Sequence, residues 1–226
     1  MTCRLGNVKV VIMASYDRTL KKNFKIFVAG PSGCGKTIFS CDIIQNWPII
    51  SRQVFSAIIY CWNQWQPKYD EMKQLVTHWV RDDDNMIQNI KSIARGKPVL
   101  IIFDDAINSK SLPEIANLFM IDGRHSNMSM MFLTQRMFDK DKSFMQISRN
   151  SDYFVVFKNP RDASEIGRLA QQLTPGKRSL IGIYEEATKD PWSYLFIDLT
   201  QECPPEVKYT SHLFDENGVV RVYQES

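Results

Sequence analysis

The sequence predicts an α/β protein in which a mostly parallel sheet is covered by helices on both faces. Two observations carry this. Short runs rich in β-branched and aromatic residues recur along the chain, several of them continuously apolar. Strands buried on both faces look like this, whereas half-exposed strands alternate. Between the runs lie segments with helical periodicity, and strands alternating with helices build a sheet through right-handed crossovers.

Taken in order, "FKIFVA" (24–29) is the first of these strands, and a helix beginning near Lys36 carries Ile38, Phe39, Ile43, Ile44 and Trp47. "VFSAIIY" (54–60) and "PVLIIF" (98–103) are the next two strands. "SLPE" then places Ser111 as an N-cap with Glu114 three positions on, a capping-box pattern that opens a helix. "MSMMFL" (128–133) and "YFVVF" (153–157) follow as strands. "DASEIGRLAQQL" (162–173) sets Ile166, Leu169, Ala170 and Leu173 on one helical face, and "SYLFI" (193–197) is a last strand. After Thr200 the chain is polar and mixed. It reads as a peripheral tail (201–226) on a core of about 24–200, in one domain spanning 1–226.

Composition narrows the class. The 226 residues are 44% hydrophobic and 23% charged, ordinary for a globular domain. The net charge of +3 gives no global argument for nucleic acid, so any DNA contact needs a local basic patch. Five cysteines, odd in number and without CxxC pairing, fit free thiols in a reducing compartment. The N-terminal segment is too broken by charge for a signal peptide, and no apolar run approaches the roughly 20 residues of a membrane helix. The expectation is a soluble intracellular protein with no membrane contact.

"GPSGCGKT" (30–37) matches G-x-x-x-x-G-K-[ST] between an apolar strand and a helical pattern, the context a phosphate-binding loop needs. Gly30, Gly33 and Gly35 let the backbone turn tightly, and with Ser32 and Cys34 they aim N–H groups at phosphate oxygens, while Pro31, which has no N–H, is part of the same binding loop. Lys36 reaches the β and γ phosphates, and Thr37 offers its hydroxyl to Mg²⁺. A nucleoside triphosphate is the implied ligand.

"VLIIFDDA" (99–106) ends an apolar strand in two carboxylates. Asp104, leaving the strand beside the loop, is the expected Mg²⁺ partner. Asp105 is the candidate to activate a water molecule, with capping of the following turn as the competing reading. A strand at 54–60, between loop and acids, marks the additional-strand class of P-loop NTPases. In that class a central strand separates the acidic strand from the loop strand, and its tip carries a polar sensor. "MMFLTQR" (130–136) follows the acidic strand, which makes Gln135 the sensor candidate. Its amide both donates and accepts hydrogen bonds.

An apolar strand ending in "TQR" after the acidic strand resembles the FtsK/HerA group of DNA-pumping ATPases. "AIIYCWNQWQPKYDEM" (57–72) and "GRHSNMSMMFLTQRMF…FVVFKNPRD" (123–162) resemble, more particularly, the genome-packaging ATPases of Polinton/Maverick elements and related double-stranded DNA viruses. The resemblance covers about residues 24–170. It implies ATP as the nucleotide and a homo-oligomeric ring, pentamer or hexamer, whose sites are completed by a neighbour's arginine. It also implies a capsid vertex or portal as partner, sequence-independent contact with the backbone of double-stranded DNA, and action in the infected cell. Arg124, in "GRHSN", resembles the trans-acting arginine, with Arg136 and Arg161 as rivals. His125 has no metal-like partner, His78 and His212 being distant.

Two stretches stay open. "WNQWQPKYD" (62–70) reads as local aromatic packing or as a loop reaching DNA, nucleotide or a neighbouring subunit, with Gln66 and Tyr69 worth testing. "FKNPRD" brings Lys158 and Arg161 to a strand end, for phosphate contact or as a solvated helix start. Three alternatives to packaging remain. A helicase-like or segregation motor shares these parts. A small-molecule kinase would need a lid insertion, which the chain does not display. A nucleotide-binding structural module would not need Asp105.

Overall fold

The computed structural model describes residues 2–5, 8–13, 19–51, 53–122, 127–174, 179–214 and 220–225. The elements run β1 (Thr2–Leu5), β2 (Val8–Met13), β3 (Lys25–Ala29), α1 (Lys36–Ile50), β4 (Ala57–Trp62), α2 (Lys68–Met72), β5 (His78–Arg81) and α3 (Met86–Ala94). They continue β6 (Val99–Asp104), α4 (Leu112–Asn117), β7 (Met128–Thr134), α5 (Lys142–Arg149), β8 (Tyr153–Phe157), α6 (Ser164–Leu173), α7 (Ser179–Ala187), β9 (Tyr194–Asp198), β10 (Tyr209–Ser211) and β11 (Val220–Glu225). A π-helical turn over Leu118–Asp122 extends α4.

The described strands form one sheet in the order β1-β2-β11-β10-β9-β8-β3-β7-β6-β4-β5. From β8 to β5 all neighbours are parallel. From β8 outward through β9, β10, β11, β2 and β1 they are antiparallel. The mostly parallel α/β reading therefore holds, with an antiparallel wing added. β7 lies between β3 and β6, the arrangement expected of the additional-strand class.

The apolar runs are continuous because both faces of the parallel half are covered. In β3, Phe27 and Ala29 face one layer and Ile26 and Val28 the other. In β6, Ile101 and Phe103 share the first layer, and Leu100 and Ile102 the second. The first layer packs Phe27 against Phe132 (6.0 Å, stacked), Phe154 (5.1 Å) and Phe144 of α5 (5.5 Å, edge-on). The second seats α1 through Phe39, Ile43 and Ile44. Truncating any of these rings to Ala would cost about 3–5 kcal/mol, so the strand ends that carry the site rest on a rigid support.

Two expectations fail. The described residues of 201–226 do not form a peripheral tail: β10 bonds to β9, and β11 bonds to β10 and β2. Val220 and Val222 are fully buried, as are Tyr209 and Tyr223 nearly so. "VRVYQE" alternates like a half-covered strand, but its partner β2 comes from the far end of the chain, so local composition understated it. The capping box at Ser111 does not form either. Ser111 sits at φ −83°, ψ 6°, outside the extended region a capping serine adopts, and its side chain makes no capping bond. Among the described residues, no helix is long and apolar enough to cross a membrane.

Candidate active site

The parallel strands deliver their C-terminal ends to one edge, and the functional side chains gather there. β3 ends at Ala29, and the Gly30 N–H donates to the Thr134 carbonyl (3.2 Å), tying the start of the loop to the tip of β7. Gly33 (φ 77°) and Gly35 (φ 110°) take left-handed backbone that other residues rarely adopt. Gly30 is glycine for a different reason: a Cβ there would lie 2.6 Å from the Phe157 Cβ and 2.7 Å from the Cys34 Sγ. Helix α1 starts at Lys36 with no side-chain cap and no acidic residue in its first turn. Its leading N–H groups and dipole are thus not engaged by a capping side chain, an arrangement that suits an anion.

Lys36 folds back over the loop, its Nζ donating to the carbonyls of Gly30 (2.7 Å) and Pro31 (3.0 Å). Thr37 Oγ1 donates to Asp104 Oδ2 at 3.4 Å. Cys34, Cys41, Cys61 and Cys203 carry free thiols, and burial pushes that of Cys34 up despite the nearby Lys36 charge.

Asp104 closes β6 and is only 4% exposed. The same Oδ2 accepts hydrogen bonds from the hydroxyls of Tyr60 (2.7 Å, from β4) and Tyr69 (2.8 Å, from α2). Burial raises the Asp104 carboxyl above its ordinary value, opposed by the two tyrosine donors and by Lys36. Burial, followed by the Asp104 charge, raises both phenols as well, so they stay protonated and donate.

Asp105 is half-buried at φ 56°, ψ 34°, a left-handed conformation unusual for a non-glycine residue. Its N–H donates to the Leu133 carbonyl (3.2 Å). Its side chain makes no capping bond to the following 3₁₀ turn, which removes the competing reading from the sequence. Instead Oδ1 accepts from Gln135 Nε2 at 3.4 Å. Strain of this kind collects where surrounding structure holds a functional group in place. Thr134 is fully buried, and its Oγ1 accepts the Arg136 N–H (3.2 Å), which turns the chain and leaves Gln135 exposed at the strand tip.

These groups line one cleft of about 200 Å³. Its lining combines Ser32, Gly33, Gly35, Lys36 and Thr37 of the loop and α1 with Asp104, Asp105 and Gln135 of the strand ends, together with Gln66 and Ile38. The oxygen donors Thr37 and Asp104 fit a hard divalent cation.

The 62–70 stretch divides between its two readings. Trp62 and Trp65 pack edge-on (5.2 Å), and Trp65 also meets Tyr69 (5.4 Å) and Trp79 (5.0 Å). Gln66 turns to the cleft, while Tyr69 goes inward to Asp104. Tyr60 was legible only as strand core. The signal for it is that a buried tyrosine hydroxyl demands a partner.

The arginine expectations fare differently. Arg124, with His125, lies outside the described residues. Arg136 is exposed and pairs with Asp139 (2.9 Å). Arg161 and Lys158 are exposed beyond β8 and do not line the cleft.

The family described as Poxvirus A32 protein matches residues 13–157, well over half of the chain and all of the cleft-forming segments. The chain belongs to that family. The match bears out the resemblance to viral genome-packaging ATPases read from the sequence. Among solved structures, the A32-family chain is similar to the genome packaging NTPase B204 of Sulfolobus turreted icosahedral virus 2, in complex with ATP-gammaS. The TM-score is 0.53 at 12% identity, over 90% of this chain and 98% of that one. It is also similar to the cytoplasmic domain of the type VII secretion ATPase EccC from Thermomonospora curvata (TM-score 0.53, 12% identity, 88% of this chain and 25% of that). EssC (ATPases 2 and 3) from Geobacillus thermodenitrificans is a third (TM-score 0.51, 11% identity, 90% and 39%). At these identities the likeness is one of fold, and the A32-family chain spans only part of the two secretion proteins. No curated protein matches it by sequence.

Proposed function

We propose that this A32-family chain is an ATP-hydrolysing motor that moves double-stranded viral DNA into a capsid. Family membership and a fold shared with a genome packaging NTPase support the reading. The observation that carries it is the lining of the cleft: Asp105, free of any capping role, beside Asp104 and Gln135 and facing the phosphate loop.

In this reading the loop N–H groups and the α1 N-terminus hold the triphosphate, and Lys36 leaves the Gly30 and Pro31 carbonyls for the β and γ phosphates. Thr37 and Asp104 would hold Mg²⁺, with Tyr60 and Tyr69 fixing the carboxylate, and the ion would supply neutralisation of phosphate charge. A water oxygen attacks the γ-phosphorus, the bond to the bridging oxygen of the β-phosphate breaks, and Asp105 takes the water proton. ADP and phosphate leave. Gln135 hydrogen-bonds the attacking water or the γ-phosphate and senses its loss. Arg124 of a neighbouring copy stabilises charge developing on the transferring phosphoryl group, in a pentameric or hexameric ring. The ring grips the DNA backbone, which suits a motor that must accept any sequence. Its place of action is a capsid vertex or portal at the assembly site within the host cell.

The test is steady-state phosphate release from ATP, with and without long random-sequence duplex, alongside Lys36→Ala and Asp105→Asn. Stimulation by duplex that both substitutions abolish is expected. Hydrolysis indifferent to DNA would overturn the motor while leaving an ATPase. Arg124→Ala should keep ATP binding and lose hydrolysis. Full activity of a dilute monomer would remove the trans-acting arginine.

A further inference from the structure

The cleft is one-sided. Asp104, Asp105, Gln66 and Gln135 all come from elements on one flank of the phosphate loop, where β7, β6 and β4 lie. A triphosphate whose terminal phosphate faces these groups must extend its ribose and base the other way, past β3 toward β8 and β9. On that flank β9 starts beside the end of β8, with Tyr194 opposite Phe157. The turn just before it presents Trp192.

Trp192 is 71% exposed, yet it borders the loop. A Cβ on Gly35 would lie 3.8 Å from the Trp192 Cβ and 3.4 Å from the Phe157 ring. The turn that carries it is well closed. Ser193 donates to the Asp190 carbonyl through both its N–H (3.4 Å) and its Oγ (2.7 Å), and Asp190 faces Arg221 (3.9 Å). Pro191 takes the second turn position and Trp192 the third, at φ 58°. A positive φ there marks a type II turn, where glycine or asparagine is the favoured residue. The chain instead holds its most extended aromatic surface against local preference, in solvent, at the edge of the loop. Burial does not explain this tryptophan, whereas a planar ligand leaving the loop on this side does.

We propose that Trp192 is the platform on which the base of the bound nucleotide stacks. This rests on the reading that the loop binds a nucleoside triphosphate, and it names the group that recognises the rest of that substrate. Stacking tolerates any base because every base has a π-face, so the platform contributes affinity with little preference between adenine and guanine.

The test compares binding of ATPγS, GTPγS and inorganic tripolyphosphate to the full chain by titration calorimetry with Mg²⁺ present. Trp192→Gly suits the positive φ, so its melting temperature should be unchanged or higher. It should weaken ATPγS and GTPγS about tenfold or more and leave tripolyphosphate unaffected. Trp192→Phe should keep most of the nucleotide affinity. Equal weakening of tripolyphosphate, no loss for either nucleotide, or a large drop in melting temperature would each overturn the platform. Failure of the wild-type chain to bind both tripolyphosphate and ATPγS would overturn the nucleotide reading itself, a result separable from any effect of Trp192.

Discussion

Tyr69 donates its hydroxyl to Oδ2 of Asp104 across 2.8 Å, although the two residues lie 35 positions apart in the chain. Tyr60 reaches the same oxygen at 2.7 Å from β4. A carboxylate at a strand end beside bulk solvent would swing between rotamers. Here two phenols from separate elements hold it, inside an aromatic cluster that also packs Tyr60 on Trp79 (5.0 Å).

Removing either phenolic oxygen should therefore loosen the acid. A hydrogen bond to a charged group contributes about 1.5–3 kcal/mol. Tyr69→Phe and Tyr60→Phe should each lower unfolding free energy by that order in urea titrations, and the pair should be non-additive because they share one acceptor. Hydrolysis should fall more than ATP binding does. Unchanged turnover in the double variant would show that Asp104 needs no such support.

Burial raises the Asp104 carboxyl, and the sign of the consequence can be worked out. The native state holds this proton more tightly than the unfolded chain, so the Asp104 contribution to stability falls as pH rises. The window runs from the ordinary carboxylate value, about 4, up through the raised native one. Asp104→Asn cannot ionise. The stability difference, wild type minus variant, should shrink across that window, leaving the variant at least as stable near neutral pH while inactive. A difference that grows with pH would contradict the burial argument.

The loop tolerates little at its first glycine. Gly30→Ala drives a methyl group into the Phe157 Cβ and the Cys34 Sγ, and Phe157 is itself packed against Tyr194 (5.5 Å). Overpacking of this kind costs about 1–3 kcal/mol. The melting temperature should fall and ATPγS affinity with it, because the loop can move only by breaking its tie to Thr134. Wild-type affinity in this variant would mean that the loop is looser than its contacts suggest.

Asp105 and Gln135 separate binding from chemistry. Neither holds the loop, so Asp105→Asn should bind ATPγS normally, and Gln135→Ala should lose at most one hydrogen bond to the γ-phosphate, about tenfold in Kd. Loss of a proton acceptor should slow turnover by about a hundred- to ten-thousand-fold. Paired measurements of Kd and kcat read this directly, and a raised Kd with unchanged kcat would reassign Asp105 to nucleotide binding.

Five strands and three helices of the parallel half, and β9 next to it, were legible because their signals are local. Continuous apolar runs mark strands covered on both faces, and a glycine-rich turn between strand and helix marks the loop. The place of β7 between the loop strand and the acidic strand followed from the additional-strand class, in which the strand after the acidic one is central. The rest of the antiparallel wing was not legible. β11 lacks the continuous apolar run of the covered strands, and its pairing with β2 joins the two ends of the chain. Ser111 shows the reverse failure, a local motif that the turn around Ser109 overrides: the Ser111 N–H bonds the Ser109 hydroxyl instead.

By itself the sequence determined the chemistry available at the cleft: Lys36, Thr37, Asp104, Asp105 and Gln135 are identified by residue type and by position relative to their strands. Tertiary structure alone decided who supports that chemistry. Tyr60 meets Asp104 across 44 positions of chain, and the Asp190-Pro191 turn gives no local sign that it will set Trp192 beside the loop. The physical reason is range. Backbone preference and burial periodicity act over a few residues, whereas a hydrogen bond to a buried carboxylate needs only proximity in space, which the packed sheet supplies.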